Sequence, residues 1–275
     1  RLSIRDLSPN GSQPMYSRNK RFIMVFNGEI YNSSELKKLL TIKLNGTSDS
    51  EVLINLYQKY GDKFLKLVKG MFSIVIYDKY KKQCFIARDR FGIKPLYYFK
   101  NKNFLICSSE IKPLLHYLKI NSFNLMKFGE LFFRQNLDGG NNTFFESIFS
   151  FLPSNYYLIS KRYFKKFQYW EIGGSSKEQS FSKTIKKFRY LLNKSIKMHS
   201  ISDREISILL SGGFDSTTIL NLYSKINNEL PETFTYDFTS NKFSELKKSQ
   251  EIAKKLGVKN YSVIVSHDYV INNLE

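Results

Sequence analysis

The sequence predicts two domains of different class, an α+β domain built on antiparallel sheets followed by an α/β domain with a parallel sheet. Three observations carry that prediction. Short apolar runs recur at hairpin spacing through residues 1–170. A small-residue cluster, Gly173-Gly174-Ser175-Ser176, then breaks the pattern and reads as a linker over 171–181. From residue 182 to 275 the chain alternates strand-like and helix-like runs in the order β-α-β-α-β, with Ser211-Gly212-Gly213 between the first strand and the first helix.

In the first domain, strands are predicted over 21–26, 71–77, 84–88, 96–99 and 104–107, and the first of them ends in Asn27-Gly28-Glu29. Helices are expected near 33–40 and 49–60. Ser48 and Glu51 have the spacing of a capping box on the second. Residues 156–169 close this domain. In the second domain a strand over 206–210 leads into a helix whose Ile219, Leu222, Tyr223 and Ile226 share one face, expected to pack on the sheet. A strand through Phe234, Tyr236 and Phe238 follows. Next comes a helix with Leu246, Ser249, Ala253 and Leu256 on one side, Gly257 as its C-cap, and a strand over 261–265. That order implies right-handed crossovers, with nucleotides binding at the carboxyl ends of the strands.

Composition narrows the function classes. The 275 residues are 42% hydrophobic, enough for two cores, and no apolar run approaches the roughly 20 residues that span a bilayer. No signal peptide is read at the start, so a cytoplasmic protein with no membrane partner is expected. Cys84 and Cys107 sit in apolar strand contexts and read as buried, inert thiols. His116, His199 and His267 are isolated, and no metal site is assigned to them. The net charge of +19 comes mostly from lysine spread along amphipathic segments such as 186–197 and 247–255. Sites that clamp nucleic acid favour arginine beside exposed aromatics, so a solvated lysine face is the reading and no nucleic-acid partner is expected.

The run Ser211-Gly212-Gly213-Phe214-Asp215-Ser216 has the chemistry of an anion grip. Two glycines let backbone approach a phosphate, and the free N–H groups of the next helix's first turn point at it. Ser211, Ser216 and Thr217 add hydroxyls, while Asp215 can orient a hydroxyl or hold Mg2+. A turn ending the strand, with Ser or Asp as N-cap, is the competing reading. No lysine follows the glycines as it does in a Walker loop. The run resembles the PP-loop of ATP pyrophosphatases, which implies ATP cleaved between its α and β phosphates.

A wider resemblance rests on Arg1-Leu2-Ser3-Ile4, Gly11-Ser12-Gln13-Pro14-Met15, Asn27-Gly28-Glu29-Ile30-Tyr31-Asn32, Ser48-Asp49-Ser50-Glu51, Gly70-Met71-Phe72 and the run from Arg88-Asp89-Arg90-Phe91-Gly92 to Tyr98. In that order these match the class II glutamine amidotransferase domain of asparagine synthetases, and the PP-loop extends the match over nearly the whole chain. The resemblance implies an Ntn-hydrolase fold, two stacked antiparallel sheets between helices, joined to a synthetase domain. It implies that Arg1 clamps the α-carboxylate of glutamine, that Glu29 and Asp49 receive its α-ammonium, and that Leu2, Ser3, Ile4 and Arg5 complete the pocket. Asn27, through its side-chain amide, and Gly28, through its N–H, take the place of the oxyanion hole. Taken alone, Asn27-Gly28 would be a type I′ hairpin turn and Asp49 a first-turn carboxylate answering the helix dipole.

The resemblance also implies an N-terminal cysteine nucleophile upstream of Arg1, so the chain is expected to be an internal fragment without glutaminase activity of its own. Neither Cys84 nor Cys107 replaces that nucleophile. Ammonia released from glutamine would reach a second site where ATP and Mg2+ convert an acceptor acid, aspartate, to its adenylate. Leu210 and Tyr236 stand at positions that contact adenosine through backbone, and Asp237 stands where glycine is common. Phe214 is expected to pack rather than touch phosphate. An enzyme amidating another carboxylate, such as a sugar acid in surface-polysaccharide synthesis, is the alternative, and a nucleic-acid-modifying ATPase is further off. The oligomeric state is left open, with a homodimer among the candidates.

Overall fold

The computed structural model describes residue 4 and residues 6–134, 140–174, 180–238 and 244–273. They fall in two compact units, Arg1–Gly174 and Ser175–Glu275. The first unit runs β1 (Met15–Tyr16), β2 (Phe22–Ile30), α1 (Ser33–Lys37), α2 (Asp49–Tyr60), β3 (Gly70–Asp78), β4 (Gln83–Arg88), β5 (Tyr97–Lys100), β6 (Leu105–Ser108), α3 (Ile111–Leu118), α4 (Leu125–Arg134), β7 (Ile148–Ser150), β8 (Asn155–Ile159) and β9 (Phe164–Gln168). One six-stranded antiparallel sheet has the order β1-β2-β3-β4-β8-β9, and a three-stranded one the order β6-β5-β7.

Period-two alternation sorts the large sheet's side chains between two cores. Phe22 and Met24 of β2, Phe72, Ile74 and Ile76 of β3 and Phe85 and Ala87 of β4 bury one face against Val52, Leu53 and Leu56 of α2. The opposite face sends Ile86, Tyr157 and Ile159 toward Leu96, Tyr98 and Phe151, so the two sheets share a second core. This is the two-sheet, helix-flanked architecture the resemblance implies.

Three local expectations change. The strand predicted over 21–26 runs on through Asn27-Gly28 to Ile30, each residue paired with β3, so the hairpin turn that the dipeptide would form alone is not made. α1 ends at Lys37, shorter than the predicted 33–40. Ser48 does cap α2, its Oγ accepting from Ser50 N at 3.2 Å. Glu51 does not close the box, however: its carboxylate accepts from the amides of Asn45 and Gly46, while Ser48 N donates to Asp6 Oδ2.

Asp6 therefore pins the loop that enters α2. The Ser8 hydroxyl holds its carboxyl below the ordinary 3.8; burial opposes this, and the amides of Thr47, Ser8 and Ser48 add to the lowering. A depressed carboxyl stabilises the fold above its unfolded value and loses that contribution as pH falls through its folded value. Acid unfolding of the chain below about pH 4 should accordingly become less steep in Asp6→Asn, whose stability at neutral pH should also drop. Parallel acid titrations of the two proteins with identical slopes would contradict this role.

The second unit runs α5 (Phe181–His199), β10 (Ile208–Leu209), α6 (Phe214–Asn227), β11 (Thr233–Phe238), α7 (Leu246–Leu256), β12 (Asn260–Val265) and α8 (His267–Asn272). Its sheet is parallel with the order β10-β11-β12. Gly257 ends α7 at φ 71°, as predicted. The α6 face is offset from the predicted one. Leu220, fully buried, joins Leu210, Ala253 and Val258 in the core, whereas Ile219 is 43% exposed and lines a cleft beside Ile196 of α5. Of the predicted series Tyr223 is buried, Leu222 and Ile226 are half-buried and Ile219 is exposed, so the series met the buried stripe in part and missed Leu220. No helix among the described residues is long and apolar enough to cross a membrane.

Candidate functional site

A cavity of about 450 Å³ opens where β2, the start of β3 and the N-terminus of α2 meet. Ile4, Asn27, Gly28, Glu29 and Asp49 all line it, together with Gln13, Met71, Lys94 and Ser109. Of the residues expected to bind glutamine, Arg1, Leu2, Ser3 and Arg5 lie outside the described residues. Asp49 is the first residue of α2 and is buried; its Oδ2 accepts from Ile30 N at 3.1 Å, which ties the helix start to β2. The macrodipole reading of Asp49 and its place in the cavity are thus both met by one position. Glu29 is also buried. The Tyr31 phenol is pushed up by burial and then by the charges of Glu29 and Asp89.

The edge of β2 explains why Gly28 matters. β1 covers only Ile23 and Met24 of β2. Beyond it the Gln13 side chain acts as a substitute strand, donating Nε2 to Phe26 O at 2.9 Å and accepting from Phe26 N at 2.6 Å. By the two-residue alternation, the N–H of Gly28 faces the same edge as that of Phe26, one step past Gln13 and into the cavity. The Asn27 amide is held by Nδ2 donating to Ser109 Oγ at 3.1 Å. Gly28 has φ +152°, and a Cβ there would overlap Met71 O and approach Phe72 Cα at 2.7 Å.

The far wall is built by the loop after β4. Asp89, fully buried, accepts from Phe72 N, Phe91 N, Ile93 N and Lys94 N at 3.0–3.2 Å. Arg88 donates to Lys94 O, Gly92 O, Phe151 O and Ser150 Oγ. An aspartate that accepts only and an arginine that donates only thus satisfy a tight loop that has no ladder partners of its own. Lys94 is carried to the cavity as a result.

Cys84 and Cys107 line an adjacent cavity of about 460 Å³ between the sheets and are half-buried rather than fully buried. Burial pushes Cys84 up, and burial with Cys84 beside it pushes Cys107 up to about 12. Neither is poised as a thiolate nucleophile.

In the second unit Gly212 has φ 72°, where a Cβ would press on Ser249 N at 3.0 Å. Gly213 is the N-cap of α6, so neither Ser nor Asp caps it. Ser211 Oγ accepts from Gly213 N and lies 3.0 Å from Ser216 Oγ, and Thr217 Oγ1 donates to Gly213 O. Asp215 is exposed in the first turn. Phe214, the first residue of α6, is 84% exposed and does not pack as expected, because a first-turn position at the helix end has few neighbours to cover it. Leu210 is buried, with its N donating to Phe234 O and its O accepting from Thr235 Oγ1. Tyr236 turns its side chain outward from the middle strand. Asp237 is buried and accepts from Phe238 N and Ser244 Oγ, so the carboxylate in the glycine's place is engaged by neighbouring groups. Among the described residues no group of three or more His, Cys, Asp or Glu could hold a metal ion.

Residues 1–170 match the family described as glutamine amidotransferase domain, and residues 187–275 match asparagine synthase. The chain belongs to the glutamine-hydrolysing asparagine synthetase family. It is 34% identical over 81% of its length to a putative glutamine-hydrolysing asparagine synthetase of Methanocaldococcus jannaschii, covering 47% of that protein. Similarity to asparagine synthetase 1 of Bacillus subtilis is 31% over the whole chain and 44% of the relative. Amidase chry2 of Gibberella zeae is 32% identical over 82% of the chain and 34% of its own length. The chain spans less than half the length of these relatives.

Sequence reasoning quoted Gln13, Met71 and Lys94 within motifs without giving them a role, and it missed Ser109 altogether. Gln13 could have been found as the polar residue immediately before Pro14, and Ser109 as the hydroxyl that follows an apolar strand and precedes a helix.

Proposed function

We propose that the first unit binds glutamine and releases ammonia from it, and that the second uses ATP to activate a carboxylate, aspartate, which the ammonia converts to an amide. The convergence of Asn27, Gly28, Glu29 and Asp49 on one cavity supports this reading. Two carboxylates suit an α-ammonium, and a carboxamide and a backbone N–H suit the oxygen of a tetrahedral intermediate. Neither Cys84 nor Cys107 is poised to supply the attacking thiol.

In the second unit, the amides opening α6 and the hydroxyls of Ser211, Ser216 and Thr217 would enclose the β and γ phosphates of ATP. The acceptor carboxylate attacks the α-phosphorus and expels pyrophosphate; ammonia then attacks the acyl carbon and expels AMP. If Mg2+ accompanies the nucleotide, Asp215, exposed in the first turn of α6, would be the carboxylate to hold it. When bound, that ion supplies neutralisation of the pyrophosphate charge.

Product analysis of the whole protein tests this. AMP and pyrophosphate are expected in equal amounts, and ADP with phosphate would overturn the adenylation reading. Asp215→Ala should remove amide synthesis yet spare glutamine hydrolysis, and Phe214→Leu should change neither, since that side chain faces solvent.

A further inference from the structure

We propose that Ser109 is a positioning residue for the oxyanion hole, setting the Asn27 carboxamide so that its amino group faces the reacting carbonyl. This rests on the glutamine reading of the cavity. Ser109 follows β6 at the end of the small sheet, whereas Asn27 lies inside β2 of the large one, so the 3.1 Å bond from Asn27 Nδ2 to Ser109 Oγ joins the two sheets across the mouth of the site. Both residues line the cavity assigned to glutamine and also the inter-sheet cavity beside it. They therefore stand on the partition between the two.

A terminal carboxamide rotates about one soft torsion with two roughly equivalent orientations, one presenting NH2 and the other the carbonyl oxygen. Presented to a developing oxyanion, the carbonyl would repel what the NH2 stabilises. The serine hydroxyl occupies one of the two amino hydrogens and leaves the other for the substrate. The backbone on each side is already fixed: Gln13 holds Phe26 through both its N–H and its C=O, and Gly28 is pinched against Met71. The side-chain torsion is the freedom that remains, and the bond from Nδ2 to Ser109 narrows it. Positioning of this kind lowers the reorganisation needed at the transition state without adding affinity for the ground state.

The test uses glutaminase kinetics of the whole protein with Ser109→Ala, Ser109→Thr, Asn27→Ala and the double variant Asn27→Ala/Ser109→Ala. Ser109→Ala should lower kcat about 3- to 10-fold, the span of one net hydrogen bond, with glutamine KM and the unfolding midpoint unchanged. Ser109→Thr should restore most of that loss. The double variant should be no slower than Asn27→Ala alone, because without the amide there is nothing left to orient. If Asn27→Ala slows hydrolysis about 10²-fold while Ser109→Ala is silent, or while the two losses multiply in the double variant, the Ser109 role is wrong and the glutamine pocket stands. If Asn27→Ala leaves kcat intact, the pocket reading itself fails.

Discussion

Replacing Asp89 by alanine is expected to cost the first unit about 4 kcal/mol and to lower its unfolding midpoint by roughly 10 °C, because a buried acceptor shared by several amides is removed at once. Its two oxygens divide the work. Oδ1 takes Phe91 N and Ile93 N, and Oδ2 takes Phe72 N and Lys94 N. Deleting them strands the buried N–H of Phe72 and the part-buried N–H groups of Phe91, Ile93 and Lys94, while Asp89 N still donates to Phe72 O at 2.8 Å. Asp89→Asn should recover only part of the loss, since its amino group would face two donors and repel both. The same loop carries Lys94 to the cavity, so the glutamine KM of any folded variant should rise. Calorimetry showing a midpoint within about 2 °C of the parent would mean that these bonds contribute nothing net.

What was legible in the sequence depended on how local the cause was. Strand and helix positions followed from periodicity, and the Ser211-Gly212-Gly213 loop was readable because its cause is a backbone that needs φ 72° within two residues of a helix start. Asn27-Gly28 misleads when read alone, since the pairing with Ser73 and Phe72 that makes it strand lies more than forty residues away. Glu51 was equally misjudged: its partners Asn45 and Gly46 precede the cap, and Ser48 N had already been taken by Asp6. For α6 the periodic series was right about amphipathicity and included the buried Tyr223, but it missed Leu220, which serves the sheet, and included Ile219, which serves the cleft beside α5. The supports of the site were harder to read than the motifs. Gln13 and Ser109 work by meeting groups of β2, whose position along the chain their own neighbourhoods do not give, and Asp89 ties its own loop through Phe91, Ile93 and Lys94 to Phe72 of β3.

Gly28→Ala should be the most damaging single methyl group in the first unit. Two penalties combine there. The φ of +152° is one that L residues avoid, and the added Cβ would overlap Met71 O and lie 2.7 Å from Phe72 Cα, both backbone atoms of a central strand that cannot step aside alone. Gly257 separates the two effects, since it too has positive φ, 71°, but nothing within 4 Å of where a Cβ would lie. Gly257→Ala should therefore cost only the conformational strain of about 1–2 kcal/mol. Gly28→Ala should cost at least about 3 kcal/mol, because β2 and β3 must part to admit the methyl group. Parting them also displaces the Gly28 N–H and the Asn27 amide from the edge fixed by Gln13. Misplacement on the ångström scale is worth about 10²-fold in rate, so glutamine hydrolysis should fall by that factor or more while ammonia-dependent synthesis in the other unit continues. Equal losses of stability in Gly28→Ala and Gly257→Ala would show that β3 yields to the methyl group, and the close approach of the two strands would then have no part in shaping the oxyanion edge.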